Sequence, residues 1–471
     1  MRGIISAAGY LPYWRLERSA IGAFHGGRGA GTRTVASYDE DTSTLAVEAG
    51  RLALASAPSG LEPETLWFAT STPTYAEKTN ATIVHAALRL PSSTAAFDAG
   101  SAVRSGTGAL RAALRSSEPA VLVVSSDIRT GPANSPDESA GGDAGAALVV
   151  GDESAGSVIA EYLGGASVTH EFLDRWRAPG EARTKSWEER FGETQYVALG
   201  QQAFADALKA TGLVADDLDA VLVAGPHARA NGAVAKKLGR PVGVTLSDTV
   251  GNVGAAEAAL QLATWLETAT PGQTVALVSL ADGADVLVFR TTDAIGSFAA
   301  TRSIAEQIEA GNSSLPYAKF LAWRGTLVPN PPNRPEPARS SASAAGRSID
   351  WKFGFVGSRD RATGAVHLPP ARVSFVGGNV DDMDPLPMAD AKGTVVTFTI
   401  DRLAYSPSPP VIFAVVDFDG PDGTAGGRLP VEICDTTPDR IAVGDRVEMT
   451  FRRLNQSDGI SNYFWKGRPI R

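Results

Sequence analysis

The sequence predicts an α/β body with an internal duplication, followed by a small all-β barrel. Residues 1 to about 290 alternate short apolar runs with Ala-rich stretches, as in a sheet that helices cover on both faces. The runs at 66–69, 120–124 and 146–150 are continuous and apolar, which is typical of fully buried strands. Beyond residue 350, strand-like runs follow one another closely with Gly, Pro and Asp between them, which indicates a barrel.

The order of elements in the body repeats once. The matching pairs, first half and then second, are helix 45–55 and helix 201–210, strand 66–69 and strand 220–223, helix 101–114 and helix 254–267, and strand 121–125 and strand 274–279. We therefore predict two similar halves, at residues 1–165 and 166–292, packed about a pseudo-two-fold axis.

Residues 293–350 interrupt this pattern. A Pro-rich run at 329–337 is followed by a Ser/Ala-rich run at 340–345, and this composition is typical of linkers and extended arms. We predict a linker over 293–350 and a separate C-terminal domain over 351–471.

Bulk properties exclude several classes of function. The formal net charge is -9 and Lys and Arg form no run, so we expect no nucleic-acid partner. No apolar run approaches the roughly 18 residues of a membrane span, and the first residues read as a strand without an export signal, so we expect a cytoplasmic protein. Cys434 is the only cysteine, which rules out a disulfide within the chain and a thiolate metal site.

Six stretches of the body together carry a family resemblance through their order and spacing. They lie at residues 38–41, 46–49, 73–78, 106–110, 142–147 and 251–254. In these stretches the chain resembles the hydroxymethylglutaryl-CoA synthase branch of the thiolase superfamily, over most of residues 1–290. The resemblance implies a duplicated five-layered αβαβα fold, usually dimeric, that binds acyl-CoA through a tunnel to a site of Cys, His and Glu or Asn.

Two residues that the resemblance implies are replaced in this chain. Val103 stands at the position of the nucleophilic cysteine, which the family places at a helix N-terminus where the thiol pKa is lowered. Ser71 stands at the position of the general acid/base glutamate. The hydroxyls of Ser101 and Ser105 flank Val103, but a serine needs an adjacent base to attack, so we expect them to cap and pack the helix start.

Two polar residues of the implied site are retained. His227 follows a predicted buried strand and Asn252 lies in a Gly-Asn turn, and they match the family's histidine and asparagine, which polarise the thioester carbonyl or enolate oxygen. A lone histidine is more often structural, and an asparagine in a turn often serves the turn alone. Tyr75 is a further candidate, because a tyrosine beside a thioester enolate can act as acid or base without a covalent step.

Coenzyme A is the expected ligand of several exposed side chains. Lys78, Lys236 and Lys237 are candidates for its phosphates, with Ser101 and Ser105 closer to the reacting end. Exposed lysines on helices are equally common without a ligand. Asp98, His170 and Asp282 are weaker candidates for proton transfer in the same cleft.

The C-terminal part of the chain resembles the zinc-ribbon and OB-fold proteins of the DUF35 type, in residues 393–399 and 462–466 of the C-terminal domain and in residues 316–325 before it. Relatives hold a structural zinc ion with two C-x-x-C pairs. The matching positions here are Asp360, Thr363, Ser374 and Gly377, so we predict a degenerate ribbon without a metal.

Three functions fit these residues. The first is an aldol or retro-aldol enzyme that uses an acyl-CoA thioester as substrate, with no bound cofactor and no Cys-bound acyl group. The second is a non-catalytic acyl-CoA-binding or scaffolding subunit of a thiolase-type acyltransferase complex, with a thiolase or hydratase as partner chain. The third is an acyltransferase that uses Ser101 or Ser105. In each case we expect a homodimer.

Overall fold

The computed structural model describes residues 1–240, 243–420 and 423–471. Contacts between their Cα atoms divide the chain into two units. The first unit comprises Met1–Ala36, Asp41–Val84 and Leu90–Phe320, and the second comprises Ser37–Glu40, His85–Arg89 and Leu321–Arg471. The domain boundaries that we expected from the sequence stay predictions.

Strands and helices alternate through the first unit, as the sequence pattern indicates. The strands are β1 (Arg2–Tyr10), β2 (Trp14–Glu17), β3 (Thr32–Val35), β4 (Thr65–Thr70), β5 (Ala95–Gly100), β6 (Ala120–Ile128), β7 (Asp143–Asp152), β8 (Ala160–Val168), β9 (Arg175–Trp176), β10 (Lys185–Ser186), β11 (Ala220–Ala224), β12 (Thr274–Leu280) and β13 (Ala284–Thr291). The helices are α1 (Arg18–Phe24), α2 (Thr42–Ala55), α3 (Ala81–Ala87), α4 (Arg104–Arg115), α5 (Pro136–Ser139), α6 (Glu189–Thr211), α7 (Ala228–Leu238), α8 (Glu257–Leu266), α9 (Ile304–Glu309) and α10 (Tyr317–Trp323), of which α3 and α10 continue into the second unit.

The main sheet shows the duplication directly. Within the described residues it has nine strands in the order β11-β12-β13-β8-β1-β7-β6-β4-β5. In the first half β1 is antiparallel to β7, β7 is antiparallel to β6, and β6 is parallel to β4. In the second half β8 is antiparallel to β13, β13 is antiparallel to β12, and β12 is parallel to β11, which is the same pattern. The halves meet where β1 pairs with β8 through Gly3 and Ile4, so the predicted duplication is confirmed.

Helices cover both halves in layers. Helix α2 packs on β1, β6 and β7 of the first half, and α6 packs on β8, β12 and β13 of the second. Helices α4 and α8 contact each other, and α8 contacts strands of both halves, so this pair forms the central layer. Strands β6 and β7 are buried along almost their whole length, as expected for strands enclosed between helices. The five-layered arrangement is confirmed.

The second unit contains short helices, a small sheet and a closed barrel. Its elements are α11 (Ala342–Arg347), α12 (Ile349–Lys352), β14 (Val356–Asp360), β15 (Val366–His367), β16 (Met383–Pro387), β17 (Lys392–Asp401), β18 (Val411–Asp419), β19 (Ala425–Ile433), β20 (Arg446–Ser457) and β21 (Ile460–Pro469). Strands β14 to β16 form the sheet, and the barrel closes in the order β17-β18-β19-β21-β20. Phe451 and Trp465 fill its interior, and the Trp465 indole donates to the Phe353 carbonyl at 2.7 Å. The predicted barrel is confirmed.

A buried group of charged side chains lies inside the second unit, and we call it the ion cluster. Its members are Asp39, Glu40, Glu432, Asp435, Arg452 and Lys466. Arg452 pairs with Glu40 and, at 2.7 Å, with Asp435, while Lys466 lies 3.0 Å from Asp39. Part of the 38–41 stretch that carries the family resemblance therefore serves this cluster.

Two carboxylates of the ion cluster, Asp39 and Glu40, have pKa values shifted in opposite directions. Burial alone would raise the pKa of Asp39, but Lys466 and Arg452 outweigh it and hold that pKa below its usual value. For Glu40 burial prevails over Arg452 and raises the pKa to about 7. Glu40 therefore holds its proton more tightly in the folded chain than in the unfolded one.

This difference predicts how stability depends on pH. Because the folded-state pKa of Glu40 lies above the unfolded value of 4.5, the folded chain loses stability as pH rises from about 4.5 to about 7. We expect Glu40→Gln to weaken this dependence, measured as the unfolding temperature of the second unit between pH 4.5 and 8 by calorimetry. An exposed control, Glu153→Gln, should leave the profile unchanged. A Glu40→Gln profile that overlays that of the wild type would contradict the prediction.

In the part of the chain that the structure describes, no helix combines the length and apolar character needed to cross a membrane.

Candidate functional site

A cavity of about 780 Å³ in the first unit has three of the predicted site residues in its wall. Its wall includes Ser71 after β4, Ser101 and Val103 after β5, and Arg129 after β6. Strands β4, β5 and β6 are parallel neighbours, so their carboxyl ends meet at one edge of the sheet. Residues between Arg175 and Thr184, in the short β9–β10 hairpin, also line it.

Val103 occupies the start of a helix, as the resemblance implies for the nucleophile. It is the N-cap residue of α4, half-buried and in the cavity wall. Just before it, the exposed Ser101 has a φ of 81°, a left-handed conformation that a non-glycine residue adopts at an energetic cost. The Ser105 hydroxyl donates to the Gly100 carbonyl at 2.9 Å, which ties the first turn of α4 to β5. The α4 N-terminus thus faces the cavity beside an aliphatic side chain.

Ser71 is held by the buried carboxylate of Asp127. Asp127 accepts hydrogen bonds from the Ser71 amide at 2.7 Å and from the Ser71 hydroxyl at 2.8 Å. It also accepts from the Ala255 amide at 2.7 Å, which connects β6 to the segment before α8 in the second half. Asp127 therefore fixes the position of Ser71, where the resemblance implies the acid/base glutamate.

Three arginines line the cavity around Ser71. Arg129 lies 3.6 Å from Asp127, and the Arg175 guanidinium pairs with Asp137. Arg177 donates to the Ser71 carbonyl. Sequence reasoning missed these residues and Asp127. Asp127 lies near the end of the apolar strand β6 and Arg129 just after it, so the polar end of that run was a detectable signal. Arg175 and Arg177 belong to the short β9–β10 hairpin, which has no such signal.

The imidazole of His227 has partners at both ring nitrogens. Nδ1 accepts the Ala230 amide at 3.1 Å, which makes His227 the N-cap of α7. Nε2 therefore carries the proton and donates to the Glu189 carbonyl at 2.8 Å. The preceding residue, Pro226, lines the cavity. A substrate oxygen would have to replace the Glu189 carbonyl to reach Nε2, and the catalytic role of His227 stays a prediction.

Asn252 contacts the same turn. Its side-chain amide donates to the Gly225 carbonyl at 2.7 Å, and its side-chain oxygen accepts the Gly254 amide at 3.2 Å. The structure thus brings His227 and Asn252 to one turn, between Gly225 and His227, at the border of the cavity that Val103 lines. The role of Asn252 in catalysis likewise stays a prediction.

A different tyrosine from the predicted one faces the cavity. The cavity wall in the described residues includes Pro73 and Ala76 but not Tyr75, whose backbone bonds to the Asn80 side chain. Tyr196 does line the cavity, and its hydroxyl accepts the Asp282 amide at 3.4 Å. Burial, with the nearby carboxylates of Asp174 and Asp282, raises the pKa of Tyr196 and keeps the phenol protonated.

The predicted coenzyme-binding lysines lie outside this cavity wall in the described residues. The Lys78 ammonium donates to the Thr79 carbonyl and the Thr82 hydroxyl. Burial lowers the pKa of Lys78. Lys236 and Lys237 are exposed in the last turn of α7.

The positions of the missing zinc ligands meet in the second unit. The Asp360 carboxylate accepts from the Thr363 hydroxyl at 2.7 Å and from the Asn379 amide at 3.1 Å. Hydrogen bonds from Ser374, and then from Thr363, lower the pKa of Asp360. No group of three or more His, Cys, Asp or Glu that suits a metal occurs in the described part of the chain. A hydrogen-bonded carboxylate thus lies where the resemblance implies a metal in relatives.

Comparison with known proteins agrees with this architecture. Residues 387–452 match the family described as the ChsH2 C-terminal OB-fold domain. The first unit has the fold of solved thiolase-like enzymes. A structure of MvaS with 3-hydroxy-3-methylglutaryl coenzyme A has a TM-score of 0.59 at 20% identity, over 72% of this chain and 94% of that one. PksG, an HMG-CoA synthase from Bacillus subtilis, has a TM-score of 0.60 at 17% identity, over 69% of this chain and 89% of that one.

Curated relatives share more of the sequence. The hydroxymethylglutaryl-CoA synthase of Methanosphaera stadtmanae is 28% identical over 357 residues, which are 70% of this chain and 100% of the relative. That of Picrophilus torridus is 30% identical over 360 residues, which are 70% of this chain and 98% of the relative. Nearly the whole length of these two relatives thus aligns with about 70% of this chain. The chain belongs to the hydroxymethylglutaryl-CoA synthase family.

Proposed function

We propose that this protein is an acyl-CoA-dependent enzyme that forms or breaks a carbon–carbon bond next to the thioester without attaching the acyl group to a cysteine. The observation that carries this proposal is Val103, which lines the cavity at the start of α4, where the family has its nucleophile. An isopropyl side chain cannot attack a thioester. Family membership supports the acyl-CoA substrate, and a solved HMG-CoA synthase of the same fold was crystallised with CoA.

Aldol chemistry suits the remaining polar groups. In the retro-aldol direction a β-hydroxyacyl thioester loses its hydroxyl proton and its Cα–Cβ bond breaks, with the electrons of that bond forming the thioester enolate. The hydroxyl carbon becomes a carbonyl, and the enolate carbon takes up a proton. Both directions require donors at the enolate oxygen, and preorganised donors of this kind contribute strongly to catalysis.

We assign the donor role to His227 and Asn252. With Nδ1 occupied by the Ala230 amide, the neutral His227 imidazole presents Nε2–H as its donor. Asn252 offers its side-chain amide from the same turn. We propose that the substrate oxygen displaces the Glu189 and Gly225 carbonyls from these two groups. Proton transfer falls to Tyr75, as expected from the sequence, or to Tyr196, which lies in the cavity wall.

The wider expectations belong to the same proposal. Lys78, Lys236 and Lys237, with Ser101 and Ser105, bind coenzyme A, and the enzyme acts as a lyase or its reverse. We also propose a cytoplasmic homodimer that works with a thiolase or hydratase partner chain. Light scattering of the purified protein tests the dimer, and a monomer at micromolar concentration would contradict it.

The test of the reaction combines intact-mass measurement with turnover. We expect incubation with short-chain acyl-CoA thioesters to leave no acyl adduct on the wild type and turnover to survive iodoacetamide. His227→Ala should lower turnover roughly 100- to 1,000-fold, because it removes one oxyanion donor. The matched control is His85→Ala in α3, which should retain turnover.

A gain-of-function variant tests the position of the lost nucleophile. Val103→Cys places a thiol at the start of α4, and we expect it to acquire an acyl adduct that the wild type lacks. An acyl adduct on wild-type Ser101 or Ser105 would favour the acyltransferase instead. Turnover that is unaffected by His227→Ala, or absent from the wild type, would favour the non-catalytic subunit.

A further inference from the structure

Asp282 also lies in the wall of the cavity, in the turn between β12 and β13. The guanidinium of Arg104, the residue after Val103, donates to the Asp282 carbonyl at 2.8 Å. A Cβ added at Gly283 would lie 2.6 Å from Nη1 of the same guanidinium, so the turn packs closely against the start of α4. Asp282 is therefore beside the position where the resemblance implies the nucleophile.

The backbone of Asp282 is held from a second direction. The Tyr196 hydroxyl accepts the Asp282 amide at 3.4 Å, and the ring centroids of Tyr196 and His227 are 6.0 Å apart. Asp282 has a φ of 47°, in the left-handed region that non-glycine residues seldom adopt. Such strained residues concentrate at functional sites, where the surrounding structure holds a side chain in a required place.

The carboxyl group of Asp282 differs from the other one in the described cavity wall, that of Glu181. Glu181 pairs with Lys185, and the hydrogen bond between them lowers the pKa of Glu181. In the described residues, the hydrogen bonds of Asp282 engage only its backbone, and its exposed carboxylate forms no ion pair. The nearby Arg104 pairs instead with Asp285, at 2.8 Å. Asp282 thus presents a carboxylate that is available to a ligand in the cavity.

The surroundings also suit Asp282 to accept a proton. Partial burial raises the pKa of its carboxyl group above the usual value, Arg104 and Arg175 oppose this shift, and Glu171 adds to it. A carboxylate with a raised pKa is a stronger base than one in water. Burial raises the pKa of Tyr196 as well, so its phenol stays protonated and is not a base.

We propose that Asp282 is the general base that removes the proton from the α carbon of the bound acyl thioester, and that returns this proton in the cleavage direction. The inference rests on the proposed function and deepens it, because that reaction moves two protons, one at the hydroxyl oxygen and one at the α carbon. A tyrosine remains for the hydroxyl proton.

The step balances without a further reactant. The bond between the α carbon and its hydrogen breaks, and the proton passes to a carboxylate oxygen of Asp282. The electron pair of that bond forms the enolate, whose oxygen His227 and Asn252 bind. The α carbon is one bond away from the thioester carbonyl carbon, so a base located between Val103 and the ring that borders His227 is suitably placed to reach it.

Exchange of α protons with the solvent tests this step and needs no carbonyl partner. Acetyl-CoA, propionyl-CoA and butyryl-CoA are incubated with the full chain in heavy water, and NMR follows the loss of the α-proton signal. We expect the wild type to catalyse exchange of at least one of them, because the exposed carboxyl group of Asp282 equilibrates its proton with the solvent. Asp282→Asn should lower the exchange rate roughly 100- to 10,000-fold, the usual contribution of a positioned acid or base.

Further variants separate the carboxylate from the backbone. Asparagine tolerates a left-handed φ as aspartate does, and Asp282→Gly relieves the strain, so both variants keep the turn and both should lose exchange. The matched control is Asp458→Asn, at an exposed aspartate that also has a positive φ, of 52°, and pairs with Arg339. It should exchange like the wild type. Calorimetric titration with the same thioesters should give similar dissociation constants for the wild type and Asp282→Asn, because a base acts on the reacting atom.

The outcomes distinguish the inference from the proposed function. Exchange by Asp282→Asn at the wild-type rate would overturn the inference, and loss of exchange in His227→Ala on parallel preparations would show that the enolate chemistry stands. Loss of thioester binding in Asp282→Asn would overturn it too, because Asp282 would then serve binding. A wild type that exchanges none of the three thioesters would overturn both.

Discussion

Replacing Arg452 with methionine is expected to lower the free energy of unfolding by about 3–5 kcal/mol, the usual cost of leaving buried charges without a partner. Arg452 is fully buried and pairs with Glu40 and Asp435. Methionine has a similar length but no donors, so both carboxylates would lose their principal cation. Lys466 cannot replace it, because that ammonium already serves Asp39 and Glu432.

Urea denaturation at pH 8 measures this effect, with Arg428→Met as the matched control. Arg428 pairs with Asp417 on the surface of the same barrel, where exposed ion pairs contribute about 0–1 kcal/mol. Adding Glu40→Gln and Asp435→Asn to Arg452→Met should recover part of the loss, because it removes the stranded charges. A loss below about 1 kcal/mol for Arg452→Met alone would refute the idea that the ion cluster stabilises the second unit.

Replacing Asp127 with asparagine is expected to lower the free energy of unfolding by about 2–4 kcal/mol and to abolish the thioester reaction. Asp127 is fully buried and accepts from two backbone amides and three hydroxyls, of Thr70, Ser71 and Thr72, with its two oxygens. An asparagine amide would turn a donor toward these donors, and each buried group left unsatisfied costs about 1–3 kcal/mol. Ser71 and the Ala255 segment would then lose their common anchor.

The control for this variant is Asp216→Asn, at an 82% exposed aspartate paired with Arg240. It should change the unfolding free energy by less than about 0.5 kcal/mol and leave turnover intact. Denaturant unfolding and turnover are measured on the same preparations. Retained turnover in Asp127→Asn would show that the position of Ser71 does not matter for the reaction.

The fold was largely predictable because its signals are local and repeated. The runs that form β4, β6 and β7 are continuous and apolar, a pattern typical of strands buried on both faces. They therefore predict a sheet enclosed between helices. The repeated order of helix and strand gave the two halves, and β8, β13, β12 and β11 reproduce the pairing of the first half. The join between β1 and β8 has no sequence signal, because it depends on only two paired residues from each strand.

From the sequence, candidate site residues could be placed only where they follow a regular element. Val103, His227 and Asn252 adjoin α4, β11 and the segment before α8, so topology alone brings their surroundings together. Arg175 and Arg177 lie in the short β9–β10 hairpin. No periodic pattern in the sequence predicts that these two strands pair. Whether a tyrosine lines the cavity likewise depends on packing that the sequence does not encode locally, so the sequence alone does not single out Tyr196.

The lone sulphydryl has a consequence for oxidative damage. Cys434 is buried among the charges of the second unit, and burial raises its pKa, so it is held as the unreactive thiol. Peroxide attacks ionised sulphur first and converts it to sulphenic acid, the step that disables enzymes with a nucleophilic cysteine. With valine at residue 103, this member of its family presents peroxide with no such target at the start of α4 in the cavity wall.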